Sequence, residues 1–167
     1  MIVLVRGRRL ELLVVVALVI ADQITKALVR QSIALHESVS LIPDYLDLTR
    51  VHNTGAAFGM FNSMDFQGKT IVLTLVAAMA LGGVAWYAAS VPPSDRLARL
   101  GVAAILGGAI GNLIDRATAG YVLDFVDASW RGWHFWAFNV ADAAISIGVV
   151  LMIFDLLGLG RRASNPA

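Results

Sequence analysis

Two aspartates are the residues best placed to do chemistry. Asp124 lies in Val122-Leu123-Asp124-Phe125-Val126, and Asp142 in Phe138-Asn139-Val140-Ala141-Asp142-Ala143-Ala144-Ile145. Both are wrapped in apolar residues. An ionised carboxylate at membrane depth costs about 2.5–3.5 kcal/mol on insertion scales, so an acid kept there is a functional candidate by default. Two such acids near one surface suit hydrolysis by an activated water. Close carboxyls cannot easily both ionise, and they share one proton. The ionised one can take a proton from water while the protonated one polarises a carbonyl.

Composition narrows the other classes. There are no cysteines, which excludes disulfides, thiol catalysis and cysteine metal sites. The three histidines, His36, His52 and His134, are scattered, and no H-E-x-x-H occurs, so no metal and no cofactor are expected. Ser146 has no histidine in any apolar run to activate it. A net charge of +1 points to no nucleic-acid partner.

The elements that must position the acids are membrane spans. The chain has 167 residues, 58% of them hydrophobic, and a mean hydropathy of +0.74. Soluble domains lie nearer 45–50% apolar. Apolar runs occupy about 10–29, 71–89, 97–114 and 138–157, each near the roughly 20 residues that cross a bilayer. Arg96 and Arg99 can snorkel from the third. A cleavable leader ending at Val19-Ile20-Ala21 is the rival reading of the first run, but the apolar pattern resumes after Asp22 and reaches Val29. The expectation is an all-α membrane protein, one integral domain over 1–167. It has four transmembrane helices, outer loops 30–69 and 116–136, a small extracytoplasmic β-sheet and a short interfacial helix. The sheet is expected from the partial alternation of Leu46 to Val51, a turn over Ile42 to Tyr45, and Tyr121 to Val126. The interfacial helix is expected at Ala56 to Met64, and a disordered tail at Arg161 to Ala167.

Orientation follows from basic residues near the spans. Residues 1–9, 90–99 and 159–167 carry seven Lys/Arg in 28 positions, whereas 30–69 and 116–136 carry five in 61. Both termini are therefore expected in the cytoplasm. Polar residues then gather at the outer end: Asp22 and Lys26 at i, i+4 spacing, Asn112 with Asp115 and Arg116, and Asn139 with Asp142. Asn53, in the turn Asn53-Thr54-Gly55, and Asp124 lie in the outer loops.

Each feature has a plainer reading. Asp22 with Lys26 reads as a stabilising ion pair, and Asn112 with Arg116 as support for the outer corner. Gly107 and Gly111 read as helix packing, Asp47 and Asp127 as solvated. Trp130, Trp133, Phe135, Trp136 and Phe138 read as an interfacial belt. Asp142 resists such a reading best.

At these residues the sequence resembles the bacterial lipoprotein signal peptidase family, also called signal peptidase II. The matching stretches are D-Q-I-T-K at 22–26, N-T-G-A-A-F at 53–58, G-G-A-I-G-N-L-I-D-R at 107–116, V-L-D-F at 122–125 and F-N-V-A-D-A-A-I at 138–145. They run in the family's order from the first span to the last. Trp136 stands where many members have Pro, and Ala143 where many have Ser. The resemblance implies an aspartic peptidase of the bacterial inner membrane, with its active site at the outer leaflet, acting as a monomer among membrane lipids. Its substrates would be prolipoproteins with a lipobox and a diacylglyceryl cysteine, cut just before that cysteine. The family's catalytic aspartates match Asp124 and Asp142. Its other motif residues match Asp22, Lys26, Asn53, Asn112, Asp115, Arg116 and Asn139, with supporting or substrate-positioning roles. Gly55 belongs to the same outer loop, where it is expected to help clamp the peptide. The alternative is a small proton-coupled membrane transporter, which should place polar residues near the bilayer midplane; here they gather at one surface.

Overall fold

In an apolar run the backbone has no solvent to bond, so it closes on itself as helix. The computed structural model describes residues 8–55 and 66–158. Among these are helices α1 (Arg9–Ser32), α2 (Lys69–Ser90), α3 (Arg96–Ala119) and α4 (Val140–Leu156). By length and composition α1, α2 and α3 could each cross a membrane. Helix α4 is shorter, at 17 residues. The apolar run expected from Phe138 becomes helical only at Val140, because Asn139 caps it from an extended conformation. Pro92 and Pro93 fall between α2 and α3, where neither ring disturbs a helical ladder.

Helix α3 is the centre of the bundle, packed most extensively on α4, then on α1 and α2. The α3–α4 seam is tight. A Cβ on Gly148 would lie 2.5 Å from the Gly101 carbonyl oxygen, and one on Gly101 would lie 2.7 Å from that of Gly148. Only hydrogen fits there. Gly107 and Gly111, read as packing residues, face α1 at Leu18 and Asp22. Among the described residues of α2 only Lys69 is buried, and Trp86 is 82% exposed. So large an apolar surface belongs in lipid rather than water.

Strands β1 (Ser38–Ile42), β2 (Leu46–Asn53), β3 (Val122–Trp130) and β4 (Trp133–His134) form one antiparallel sheet in the order β1-β2-β3-β4. The strands expected at Leu46 to Val51 and Tyr121 to Val126 are present and longer. The turn expected near Pro43 is present, with Asp44 at φ 67. Register sets Val51 opposite Asp124 and Asn53 opposite Val122. Leu123 and Phe125 pack with Val29 and Ile33 at the end of α1. Arg50 on β2 also donates to the terminal carbonyls of Arg30 and Ile33, which the helix itself leaves unpaired. The sheet is thus fastened to the end of α1 by both apolar and polar contacts. Trp130, Trp133, Phe135 and Trp136 are exposed. The interfacial helix expected at 56–64 and the tail at 161–167 lie outside the described residues.

Candidate active site

The first turn of α4 fixes Asp142. Asn139 Oδ1 accepts the Asp142 N–H at 2.9 Å, and Asp142 Oδ2 accepts the Asn139 N–H at 3.2 Å. This reciprocal cap satisfies two amides that a helix start leaves unpaired, and caps of this kind contribute about 1 kcal/mol. It also locates the Asp142 carboxyl at the positive end of the helix dipole.

Strand β3 brings Asp124 to the same place. Asn139 Nδ2 donates to Asp124 Oδ1 at 2.8 Å, and Asn53 Nδ2 donates to Asp124 Oδ2 at 3.0 Å. Asn139 therefore touches both acids, one through its side chain and one through its backbone. Asn112 Nδ2 donates to Asp142 Oδ1 at 2.8 Å. Each of the four carboxyl oxygens accepts one N–H, which leaves further lone pairs for a water or a shared proton. Burial pushes Asp124 from an ordinary 3.8 up to about 7, and the Asp142 charge pushes the same way. The N–H groups of Asn53 and Asn139 pull against this rise.

A buried charge network backs the pair. Lys26 is fully buried, and its ammonium meets Asp22 Oδ2 at 2.8 Å, Asp115 Oδ2 at 3.1 Å and Asn112 Oδ1 at 3.1 Å. Three donors meet three acceptors. Asp22 Oδ1 accepts the Ala141 N–H at 3.0 Å, another open amide of α4. Asp115 accepts the Leu123 N–H at 3.0 Å and Arg30 at 2.9 Å. Two carboxylates thus face two cations, as low-dielectric burial requires.

Asp22 with Lys26 is the ion pair its spacing implied. Asn112 and Arg116, read as joint support for a corner, instead serve different partners. Asn112 serves Asp142 and Lys26, while Arg116 donates to the Gly55 carbonyl at 3.1 Å. Gly55 N–H in turn holds Asn53 Oδ1 at 2.9 Å. All ten residues singled out from the sequence therefore join one connected set around Asp124 and Asp142. Asp127, read as solvated, is partly buried and sits 3.1 Å from His134 Nδ1, away from this set. Sequence reasoning missed Arg30 and Gln23, whose amide bridges Asp22 Oδ2 and the Gly111 carbonyl. Arg30 had a usable signal, since it follows Lys26 by four and shares its face. Among the described residues no group of three or more His, Asp or Glu is placed to hold a metal ion.

Known proteins match this chain in sequence and in fold. The family model for signal peptidase (SPase) II matches residues 14–158. The chain is 40% identical over 145 residues to the lipoprotein signal peptidase of Syntrophotalea carbinolica, covering 87% of this chain and 89% of that one. It is 43% identical over 154 residues to the lipoprotein signal peptidase of Mesorhizobium japonicum, covering 92% and 89%. A solved bacterial membrane enzyme superposes with a TM-score of 0.80 at 29% identity, over 94% of this chain and 93% of that one. A second superposes with a TM-score of 0.78 at 31% identity, over 88% and 92%.

Proposed function

The chain belongs to the signal peptidase II family, and we propose that Asp124 and Asp142 are the paired carboxyls with which it removes the signal peptide from prolipoproteins. That cleavage is what the family does, by the aspartic type of mechanism, and a proton-coupled carrier is set aside. The observation that carries the residue assignment is the bridge through Asn139, which bonds Asp124 at 2.8 Å and Asp142 at 3.2 Å. The pair works with one proton. The ionised carboxylate takes a proton from a water as its oxygen attacks the scissile carbonyl carbon. The protonated carboxyl hands its proton to the carbonyl oxygen, giving a neutral tetrahedral diol. Collapse breaks the C–N bond, and the proton taken from water goes to the leaving nitrogen. A hydroxyl proton returns to the pair, which is then ready for another water. The two carboxyls titrate as a unit.

Asp22, Lys26, Asp115, Asn112 and Asn139 hold the pair. Asn53, Gly55 and Arg116 form the edge facing the peptide. In this reading the chain is one domain of four spans with both termini cytoplasmic, and the sheet rests on the outer leaflet of the inner membrane. The lysine and arginine asymmetry and the exposed tryptophans of β3 and β4 support that orientation. A monomer then receives the diacylglyceryl cysteine of a lipobox laterally, with its acyl chains still in lipid, and the cut falls just before that cysteine. Purified enzyme in detergent tests this with a diacylglyceryl-modified precursor beside an unmodified one. The modified precursor should be cut and the other not. Asp124→Asn and Asp142→Asn should each abolish cutting, and Asp47→Asn should not. Full activity in either of the first two variants would remove the assignment.

A further inference from the structure

Three asparagine amides donate to the carboxyl pair. A side-chain amide can offer either end, so it donates dependably only where a group incapable of accepting pins its oxygen. Asn53 Oδ1 is pinned by the Gly55 N–H at 2.9 Å, and Asn139 Oδ1 by the Asp142 N–H at 2.9 Å. Both pins are backbone groups, set by a turn and a helix cap. Asn112 differs. Its Oδ1 accepts from Lys26 Nζ at 3.1 Å and from Asn139 Nδ2 at 3.1 Å, both side chains. Of these, only the ammonium lacks any acceptor.

We propose that Lys26 is a positioning residue for the hydrolysis, and that its ammonium fixes which end of the Asn112 amide faces Asp142. This rests on the reading of Asp124 and Asp142 as the catalytic pair. The charge of Lys26 is already matched by Asp22 at 2.8 Å and Asp115 at 3.1 Å, and Arg30 shares Asp115. The Lys26 charge also favours ionised Asp124 from a distance, but charge alone does not choose which end of an amide faces Asp142, whereas the contact to Asn112 Oδ1 does. A reversed Asn112 would set its oxygen against Asp142 Oδ1, now 2.8 Å from Nδ2. Its NH2 would turn toward the NH2 of Asn139, and Asn139 also holds Asp124. One reversal therefore disturbs donors to both acids.

The test is a cycle on purified full-length enzyme with the diacylglyceryl-modified precursor. Lys26→Met is combined with Asp22→Asn, which keeps the buried charges balanced, and Asp22→Asn alone is the control. Asn112→Ala is made separately and in combination. The Lys26→Met/Asp22→Asn pair and Asn112→Ala should each lower kcat by about 100-fold, the loss typical of one catalytic hydrogen-bond donor, with KM nearly unchanged. Asp22→Asn alone keeps an oxygen for the Ala141 N–H and leaves the ammonium on Asn112, so its own loss, measured separately, should be smaller than that of the pair. Adding the Lys26→Met/Asp22→Asn pair to Asn112→Ala should cost less than about threefold more, since residues acting as a unit are not additive. Losses that multiply would overturn the proposal. If the Lys26 variants do not fold, Asn112→Asp decides. It keeps an oxygen for Lys26 but presents another oxygen to Asp142, so it should lose as much as Asn112→Ala. An active Asn112→Asp would refute the role of amide direction. Side-chain amide spectra of asparagine-labelled enzyme give a readout independent of turnover: the Asn112 NH2 signal should move in the Lys26→Met/Asp22→Asn variant and stay in Asp22→Asn. A signal that stays in both would refute the proposal. Retained cleavage by Asp142→Asn would instead sink the catalytic pair and leave this readout standing.

Discussion

Gly111→Ala places a single methyl where α1, α3 and α4 meet. Its Cβ would lie 2.6 Å from Asp22 Oδ2, 3.1 Å from Asp22 Cγ and 3.4 Å from the Ala141 Cβ. Comfortable non-bonded separations are about 3.5 Å or more, so the Asp22 carboxylate must retreat by nearly 1 Å. It has little room, being fully buried and held by Lys26 at 2.8 Å and the Ala141 N–H at 3.0 Å. A lost hydrogen bond to a charged group costs about 1.5–3 kcal/mol, and overpacking about 1–3 kcal/mol. Alanine's helix preference over glycine returns about 1 kcal/mol. The net expectation is a loss of about 1.5–5 kcal/mol in stability. The activity loss should be larger in proportion. Ala141 adjoins Asp142, and a displacement near 1 Å at reacting groups can cost about 100-fold in rate. The assay pairs thermal unfolding in detergent with kcat on a lipidated precursor. Gly82→Ala is the control, since its Cβ would meet no atom within 4 Å, and it should be neutral or slightly stabilising. Wild-type kcat in Gly111→Ala would refute the claim that Asp22 holds the start of α4 in register.

Four further outcomes follow from the site. Cleavage should fall as pH rises past about 7, where the pair gives up the proton it shares; a rate still climbing there would contradict the shared proton. Asp124 binds its proton more tightly folded than unfolded, so its stabilising contribution is complete below its unfolded value of 3.8 and is lost as pH rises toward about 7. Unfolding temperatures of wild type and Asp124→Asn, compared across that window, should converge in slope only outside it. Asn53→Ala removes an N–H that favours ionised Asp124, so the alkaline limb of its pH–rate profile should move to higher pH; an unmoved limb would deny Asn53 that part. Asn139→Ala removes the side-chain half of the α4 cap and the donor to Asp124, while its backbone N–H stays on Asp142 Oδ2; it should cost about 1–2 kcal/mol in stability and about 100-fold in kcat, measured as for Gly111→Ala.

The apolar runs were legible because burying backbone in lipid leaves the helix almost no competitor. Legibility of the site had a related cause: charged and amide side chains in those runs are rare enough that their depth alone collects them. What the sequence hid were pairings rather than residues. An amide type does not reveal whether Asn112 faces its i+4 neighbour Arg116 or Asp142 on another helix. Strand β1 was missed although Ser38-Val39-Ser40-Leu41 alternates in type, because so short a run carries little signal, and all of Ser38–Ile42 is exposed. Strand β4 is two residues long and owes its place to the turn at Arg131 and Gly132, both at positive φ. The start of α4 moved inward because a capping asparagine outweighs the hydrophobicity of the residue before it.

The Ala141 N–H and the Asp22 carboxylate that holds it are 119 positions apart. A growing chain therefore acquires Asp22, Lys26, Arg30, Asn112 and Asp115 before any of α4. Those charges can neutralise one another once the first three helices have settled. Asp124 then waits without Asn139, the partner that α4 brings to it. On the proposed pairing, the site is assembled only once the final helix is in place.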